Sequence, residues 1–159
     1  MEPKIVSKKA FSVIGIELKT TTRGGKNFFE IPQFWQRVIQ NEQIKKIPNK
    51  KQTDTVLGIC MDFEADGAFS YIIGSEVTDT DNVPDDMVCK QITDAQYAVF
   101  TARGKMPDSI QDTWKYIYQE WLPNSKYQHA HSPEFELYDE RSDNSENAEV
   151  DIYIPIASA

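Results

Sequence analysis

The chain has 159 residues, a length that fits one domain or two small halves sharing a core. Its residues are 40% hydrophobic and 11% aromatic, which is enough for a packed core and excludes a disordered chain. The 17 basic and 25 acidic residues give a formal net charge of -8, and such a chain repels phosphate backbones. The composition therefore predicts a globular protein with no direct nucleic-acid partner.

The basic stretch, the cysteines and the apolar runs of the chain give no specific evidence for a nucleic-acid, metal or membrane site. The basic stretch "KKIPNKK" (Lys45–Lys51) lacks interleaved aromatic residues and is typical of a solvated loop. Cys60 and Cys89 do not have a metal-ligand spacing, and nothing requires a disulfide between them. No apolar run reaches membrane-spanning length. We therefore expect a soluble, cytoplasmic protein without a membrane partner, a metal or another cofactor.

The first predicted elements form a β-α-β-β unit. "KKAFSVIGIELKT" is typical of a strand, and "TTRGGKN" follows it as a glycine-containing loop. "IPQFWQRVIQNEQI" has helical periodicity, with Pro32 expected in the first turn. "TVLGICMDF" and "AFSYIIGSEV" then alternate as two strands around the short connection "EADG", which predicts a hairpin.

The remainder of the chain follows the same order. An acidic bridge with one strand around Met87–Ile92 leads to the strand "YAVFTARGK". "MPDSIQDTWKYIYQEWLP" predicts a helix, with Pro107 near its start and Pro123 just past its end. "PEFELYD" and "EVDIYIPI" then predict a second hairpin around the polar loop "ERSDNSENA".

Matching residues in the two predicted helices support an internal repeat. Three identical pairs are each separated by 79 positions, namely Ile31 and Ile110, Trp35 and Trp114, and Gln40 and Gln119. We therefore predict an α+β fold of duplicated β-α-β-β modules related by a pseudo-twofold, with a mainly antiparallel sheet, two main helices and a central ligand cleft. It forms a single domain of residues 1–159, with halves of about 1–80 and 83–159.

The second hairpin carries an acid-and-tyrosine pattern. Alternate residues of a strand share a face, so Glu136 lies with Tyr138 in "FELYD", and Asp151 lies with Tyr153 in "VDIYIPI". Glu134 lies near the strand end and is expected to be solvated. These acid-and-tyrosine positions are either the wet side of a one-sided sheet or the wall of a binding site.

Glu136 would be partly buried if a helix covers its face. A buried carboxylate must pair, accept hydrogen bonds or change its pKa. Beside aromatic rings it forms a receptor for lipophilic cations, and it could instead act as a general acid or base. If the two halves are aligned so that Asp62 matches Asp139, Glu136 aligns with Ile59, so only the second half has an acid at this position.

Other candidates are less specific. The helix aromatics Trp35, Trp114, Tyr118 and Trp121 suit either the core or a ligand contact. His129 and His131 could share a face of an extended segment, but no third ligand is evident, and a surface loop explains them. No phosphate-binding glycine loop, nucleophile elbow or zinc-protease motif is present.

At these residues the chain resembles the gyrase-inhibitor-like (GyrI-like) small-molecule-binding family. This module is also the effector-binding domain of AraC-type and multidrug-responsive MerR-type transcription regulators. The resemblance rests on "IPQFWQRV", "ITDAQYAVFTARG", "DTWKYIYQEWLPNSKY", "PEFELYD" and "VDIYIPI", and it covers nearly the whole chain. It implies two β-α-β-β modules and a cleft with Glu136 at its floor.

The resemblance also implies the ligand contacts and three functions. Besides Glu136, the expected ligand-binding residues are Tyr153, Asp151, Trp114, Tyr71, Trp35 and Tyr138. The favoured function is binding of a lipophilic, cationic or aromatic small molecule in drug or stress response, by a module expected to stand alone without a DNA-binding segment. The first alternative is a hydrolase of reactive electrophilic compounds with Glu136 as catalytic residue. The second is an acidic surface that engages a regulator or a topoisomerase.

Overall fold

The computed structural model describes all 159 residues and divides into two compact units. The first unit is Phe11–Ile92, and the second unit combines Met1–Ala10 with Thr93–Ala159. These units differ from the predicted halves at the N-terminus. Strand β1 (Lys4–Lys8) pairs antiparallel with β6 (Ala95–Gly104), and this pairing places the first ten residues in the second unit.

Nine strands and two main helices make up the chain, and the strand pairs within each unit are antiparallel. The predicted α+β class with a mainly antiparallel arrangement is confirmed. The remaining elements, in chain order, are β2 (Phe11–Thr21), α1 (Lys26–Gln40), β3 (Val56–Met61), β4 (Ala68–Val77), β5 (Val88–Ile92), α2 (Asp108–Tyr116), α3 (Leu122–Asn124), β7 (Tyr127–His129), β8 (Glu134–Tyr138) and β9 (Ala148–Ser158).

In the first unit the strands lie in the order β3, β4, β2, β5. Helix α1 packs one face onto this sheet, and its Phe34 and Val38 are buried in the core. The helix begins five residues earlier than "IPQFWQRV" suggests, so Pro32 lies inside it. Gly24 and Gly25 adopt positive φ angles of 64° and 70°, which glycine accepts without strain, and the helix follows directly from this turn.

In the second unit the strands lie in the order β1, β6, β9, β8, and β7 pairs with the far end of β9. Ile110 of α2 and Ile117, which follows it, are buried against core residues of β6 and β9 such as Phe100 and Ile152. The predicted single helix runs through α2 and α3, and its segment Ile117–Trp121 forms one wide π turn between them.

The helices of this fold are short in relation to a bilayer. No helix is both long and apolar enough to cross a membrane.

One close backbone approach fixes the sheet of the first unit. Gly15 of β2 lies opposite Gly74 of β4, and Gly15 is also paired with Val88 of β5. A Cβ atom on Gly15 would lie 2.4 Å from the carbonyl oxygen of Ile73 and 2.6 Å from Cα of Gly74. Because both are backbone atoms, they cannot yield as a flexible side chain would.

We therefore expect Gly15→Ala to lower the free energy of unfolding by about 2 kcal/mol, the range for an overpacked core. Urea denaturation followed by circular dichroism measures the change. Lys19→Ala places an alanine at an exposed position of the same strand by shortening an existing side chain, and it should change stability little. Equal stability of the two variants would contradict the close approach.

Candidate functional site

Glu136 is a buried carboxylate held by two aromatic donors. The residue is 9% exposed. Its Oε2 accepts a hydrogen bond from the indole Nε1 of Trp114 at 2.8 Å, and its Oε1 accepts one from the hydroxyl of Tyr138, also at 2.8 Å. The structure thus brings together three of the predicted site residues. The solvated side of a sheet, the alternative that the sequence left open for Glu136, is not where the residue lies.

The helix supplies the first donor and the strand supplies the second. Trp114 lies in α2, which packs on the sheet of the second unit. Tyr138 is two residues after Glu136 on β8, so strand alternation puts both side chains on one face. The same face includes Ile152, the direct partner of Glu136 on β9 and a member of the core beneath α2.

The pairing register separates the two acid-and-tyrosine patterns of the hairpin. Phe135 lies opposite Tyr153, and Leu137 lies opposite Asp151. Since directly paired residues point to the same side, Asp151 and Tyr153 lie on the face away from α2. The sequence pattern therefore does not form a single face, and Glu136 does not share its surroundings with Asp151 and Tyr153.

On that opposite face Asp151 belongs to an ion-pair cluster. It accepts hydrogen bonds from the hydroxyl of Thr101 at 2.7 Å and from Nη2 of Arg141 at 2.8 Å. Arg141 also pairs with Asp139 through Nε at 2.9 Å. The hydrogen bonds that Arg141 donates to Asp139 and Asp151 raise the pKa of its guanidinium. The cluster ties the polar loop between β8 and β9 to the sheet.

Tyr153 belongs to an aromatic cluster on the same face as Asp151. Its ring stacks on Phe135 with centroids 4.5 Å apart and meets Tyr97 edge to face at 5.6 Å. Burial raises the pKa of Tyr97 to about 12, and burial also raises the pKa of Tyr153. Both phenols therefore stay protonated at neutral pH.

Trp35 and Tyr71, the other predicted contacts, bond to each other in the first unit. The indole Nε1 of Trp35 donates to the hydroxyl of Tyr71 at 2.9 Å, and the rings meet edge to face. Trp35 corresponds to Trp114 in the repeat, so each unit uses this tryptophan to hold a polar group of its own sheet. The partner is a tyrosine on β4 in one unit and a glutamate on β8 in the other.

The registers also correct the alignment of Glu136 within the repeat. Glu136 is paired with Ile152 of the core beneath α2, and Cys60 on β3 is paired with Tyr71 of the core beneath α1. Glu136 and Cys60 therefore lie on the helix-covered faces of their sheets, whereas Ile59 does not. Ile59 is paired with Ile72, one residue along each strand and hence on the other face.

Glu134 is a second buried acid, and the sequence prediction that it is solvated is wrong. It is 8% exposed. Its Oε2 accepts hydrogen bonds from the hydroxyl of Tyr118 and from Nε2 of His129, the latter at 3.1 Å. Two sequence patterns could have predicted this burial. Glu134 and Glu136 are two residues apart on a strand and so share a face, and Trp114 and Tyr118 are four residues apart on a helix and so also share a face.

Comparison with known proteins identifies this architecture. The family model described as "Cass2: Integron-associated effector binding protein" matches residues 4–156. The chain belongs to the Cass2 family. The resemblance to GyrI-like effector-binding modules that the sequence indicated is thereby confirmed.

Relatives of this Cass2-family chain include a regulator and proteins of solved structure. The chain is 35% identical to the transcriptional regulator BrlR of Pseudomonas aeruginosa over 158 residues, which is 98% of the chain but 56% of BrlR. It therefore spans little more than half of that relative.

Two solved structures share the fold. SAV2435 bound to tetraphenylphosphonium superposes with a TM-score of 0.86 at 23% identity, over 99% of this chain and 94% of that one. The integron cassette protein VCH_CASS2 of Vibrio cholerae has a TM-score of 0.75 at 23% identity, over 98% and 96% of the two chains.

The ion-pair cluster predicts a pH-dependent contribution to stability. Burial raises the pKa of Asp139, but the hydrogen bonds and charge of Arg141 outweigh it, so that the pKa lies below its ordinary value of 3.8. A lowered pKa stabilises the folded state above that value, and the contribution is lost as the pH falls through the folded-state pKa. Arg141→Gln should therefore cost about 1 kcal/mol of unfolding free energy at neutral pH.

The difference between parent and Arg141→Gln should shrink as the pH falls below 3.8, the ordinary pKa of Asp139. Urea denaturation across the acidic range measures it. Arg103→Gln is the matched control, because Arg103 is largely exposed and pairs only with Glu149 in the salt bridges of the structure. A penalty that stays constant down to strongly acidic pH would contradict the assignment.

Proposed function

We propose that this chain is an effector-binding domain that takes up lipophilic cations at Glu136. The observation that supports this proposal is the buried carboxylate of Glu136, which Trp114 and Tyr138 hold in place by hydrogen bonds. A fixed carboxylate among aromatic rings combines Coulomb attraction with ring surfaces that cations prefer.

Trp114 and Tyr138 donate to the carboxylate of Glu136 through an indole N–H and a phenol, which are both neutral groups. The hydrogen bonds fix the direction of the carboxylate, and a bound cation supplies the opposite charge. Because the residue is 9% exposed, its field is screened less than that of a surface acid. This arrangement favours a cation that carries its own apolar groups over a small hydrated ion, because an apolar cation loses less hydration on binding.

The ring surfaces lie next to the carboxylate. Trp114 stacks on Tyr118 with centroids 6.0 Å apart and an interplanar angle of 13°. Tyr118 is 40% exposed although its hydroxyl is bonded to a buried acid. The stacked pair therefore offers an accessible aromatic surface beside Glu136.

The comparisons support this proposal. SAV2435, which shares the fold, is described in complex with tetraphenylphosphonium, a lipophilic cation. BrlR, the relative with 35% identity, is named a transcriptional regulator. We propose that the chain senses or sequesters such compounds in the cytoplasm, and that any DNA contact belongs to a regulator segment or partner.

The test is a charge-specific loss of affinity in Glu136→Gln, which keeps the side chain's shape. We expect tetraphenylphosphonium to bind the variant about tenfold to a hundredfold more weakly, the usual effect of losing a charged partner. Triphenylphosphine oxide, a neutral compound with similar rings, should bind parent and variant with similar affinity. Isothermal titration calorimetry measures both ligands.

Glu149→Gln is the matched control, since it removes one carboxylate from β9, where Glu149 pairs with Arg103 outside the site. It should leave both affinities unchanged. Equal affinity of parent and Glu136→Gln for tetraphenylphosphonium would overturn the role of Glu136.

A further inference from the structure

Two acid and aromatic pairs lie side by side in the second unit. Trp114 donates to Glu136, and Tyr118 donates to Glu134. Four residues advance a helix by about 6 Å, and two residues advance a strand by about 6.8 Å. Since these lengths nearly match, the two aromatic donors meet two successive acids on one face of β8.

The hydrogen bonds of His129 fix its donor and acceptor nitrogens. Its Nδ1 accepts a hydrogen bond from the backbone N–H of His131 at 2.9 Å. Its Nε2 donates to Glu134 at 3.1 Å. Glu134 therefore accepts hydrogen bonds from an imidazole and a phenol, as Glu136 accepts them from an indole and a phenol.

The hydrogen bonds to Glu134 leave one of its oxygens for a ligand. Both donors, the Tyr118 hydroxyl and Nε2 of His129, converge on Oε2. Oε1 is the oxygen that a ligand's cationic group can approach. The residue is 92% buried, so an opposite charge placed there is weakly screened.

Parallel rings connect the two acids. Tyr118 stacks with Trp114 and with His129, with centroids 6.0 Å and 6.3 Å apart. The interplanar angles of 13° and 20° make this a row of nearly parallel rings. A flat aromatic ligand can lie along such a row at low entropic cost.

We propose that Glu134 and Glu136 together select flat aromatic dications whose two cationic centres lie about 7 Å apart, the spacing of alternate strand residues. One centre pairs with each carboxylate, and the rings between them contact the row of Trp114, Tyr118 and His129. This inference rests on the proposed function, because it assigns a ligand class to the Glu136 site, and it adds Glu134 as the residue that recognises the second charge.

The experiment compares three ligands of one shape. Methyl viologen carries two charges, N-methyl-4-phenylpyridinium carries one, and 4-phenylpyridine in alkaline buffer carries none. Calorimetry measures each with the parent, Glu134→Gln, Glu136→Gln and the control Glu149→Gln. We expect the parent and the control to bind methyl viologen at least about tenfold more tightly than the monocation.

Glu134→Gln should abolish this preference, because it weakens the dication, which pairs with both carboxylates, far more than the monocation, which pairs with Glu136. Glu136→Gln should weaken both cations. The control addresses the overall charge of -8, because a preference caused by the net negative charge alone would survive Glu134→Gln as well as Glu149→Gln. Survival of the preference in Glu134→Gln overturns the inference.

A second measurement needs no variant and covers the case in which Glu134→Gln does not fold. In the parent, the affinity for methyl viologen should fall more steeply with added salt than the affinity for the monocation. Equal affinities and equal salt dependence of the two cations would overturn the inference. The proposed function would still stand if both cations bind more tightly than 4-phenylpyridine. Equal binding of all three compounds, or no binding, would overturn both.

Discussion

The hydrogen bond from the indole of Trp114 to the carboxylate of Glu136 is the interaction on which the site depends. It joins α2 to β8, and it places a carboxylate under a helix where an apolar residue would ordinarily lie. A buried carboxylate is tolerated because its oxygens are bonded, here by Trp114 and Tyr138. The same bonds hold the carboxylate in one position.

The helix that carries Trp114 changes its geometry shortly after this contact. After α2, the wide turn of Ile117–Trp121 changes the direction in which later side chains point. Trp114 and Tyr118 face the acids of β8, whereas Trp121 packs edge to face on Phe100 at 5.0 Å. Aromatic residues that one continuous stripe would place together are thereby divided between the site and the core.

The two units use matching tryptophans with different acceptors. Trp35 and Trp114 occupy matching helix positions, and both donate through their indole nitrogens. In the first unit the acceptor is Tyr71, and β3 presents Cys60 rather than an acid on the face that α1 covers. The buried acids are therefore a feature of β8, while the tryptophan donor is present in both units.

The sequence alone predicted the order of the elements, the internal repeat, the family resemblance and the shared face of Glu136 and Tyr138, because helix and strand periodicities are local properties. Only the tertiary structure decided which of the two acid-and-tyrosine patterns faces α2. The register of β8 against β9 turned Asp151 and Tyr153 away from α2, and α2 covered Glu134, which its place at a strand end had suggested was solvated. A shift of one residue in strand pairing moves every side chain of the strand to the other face of the sheet. No local pattern in either strand specifies the register.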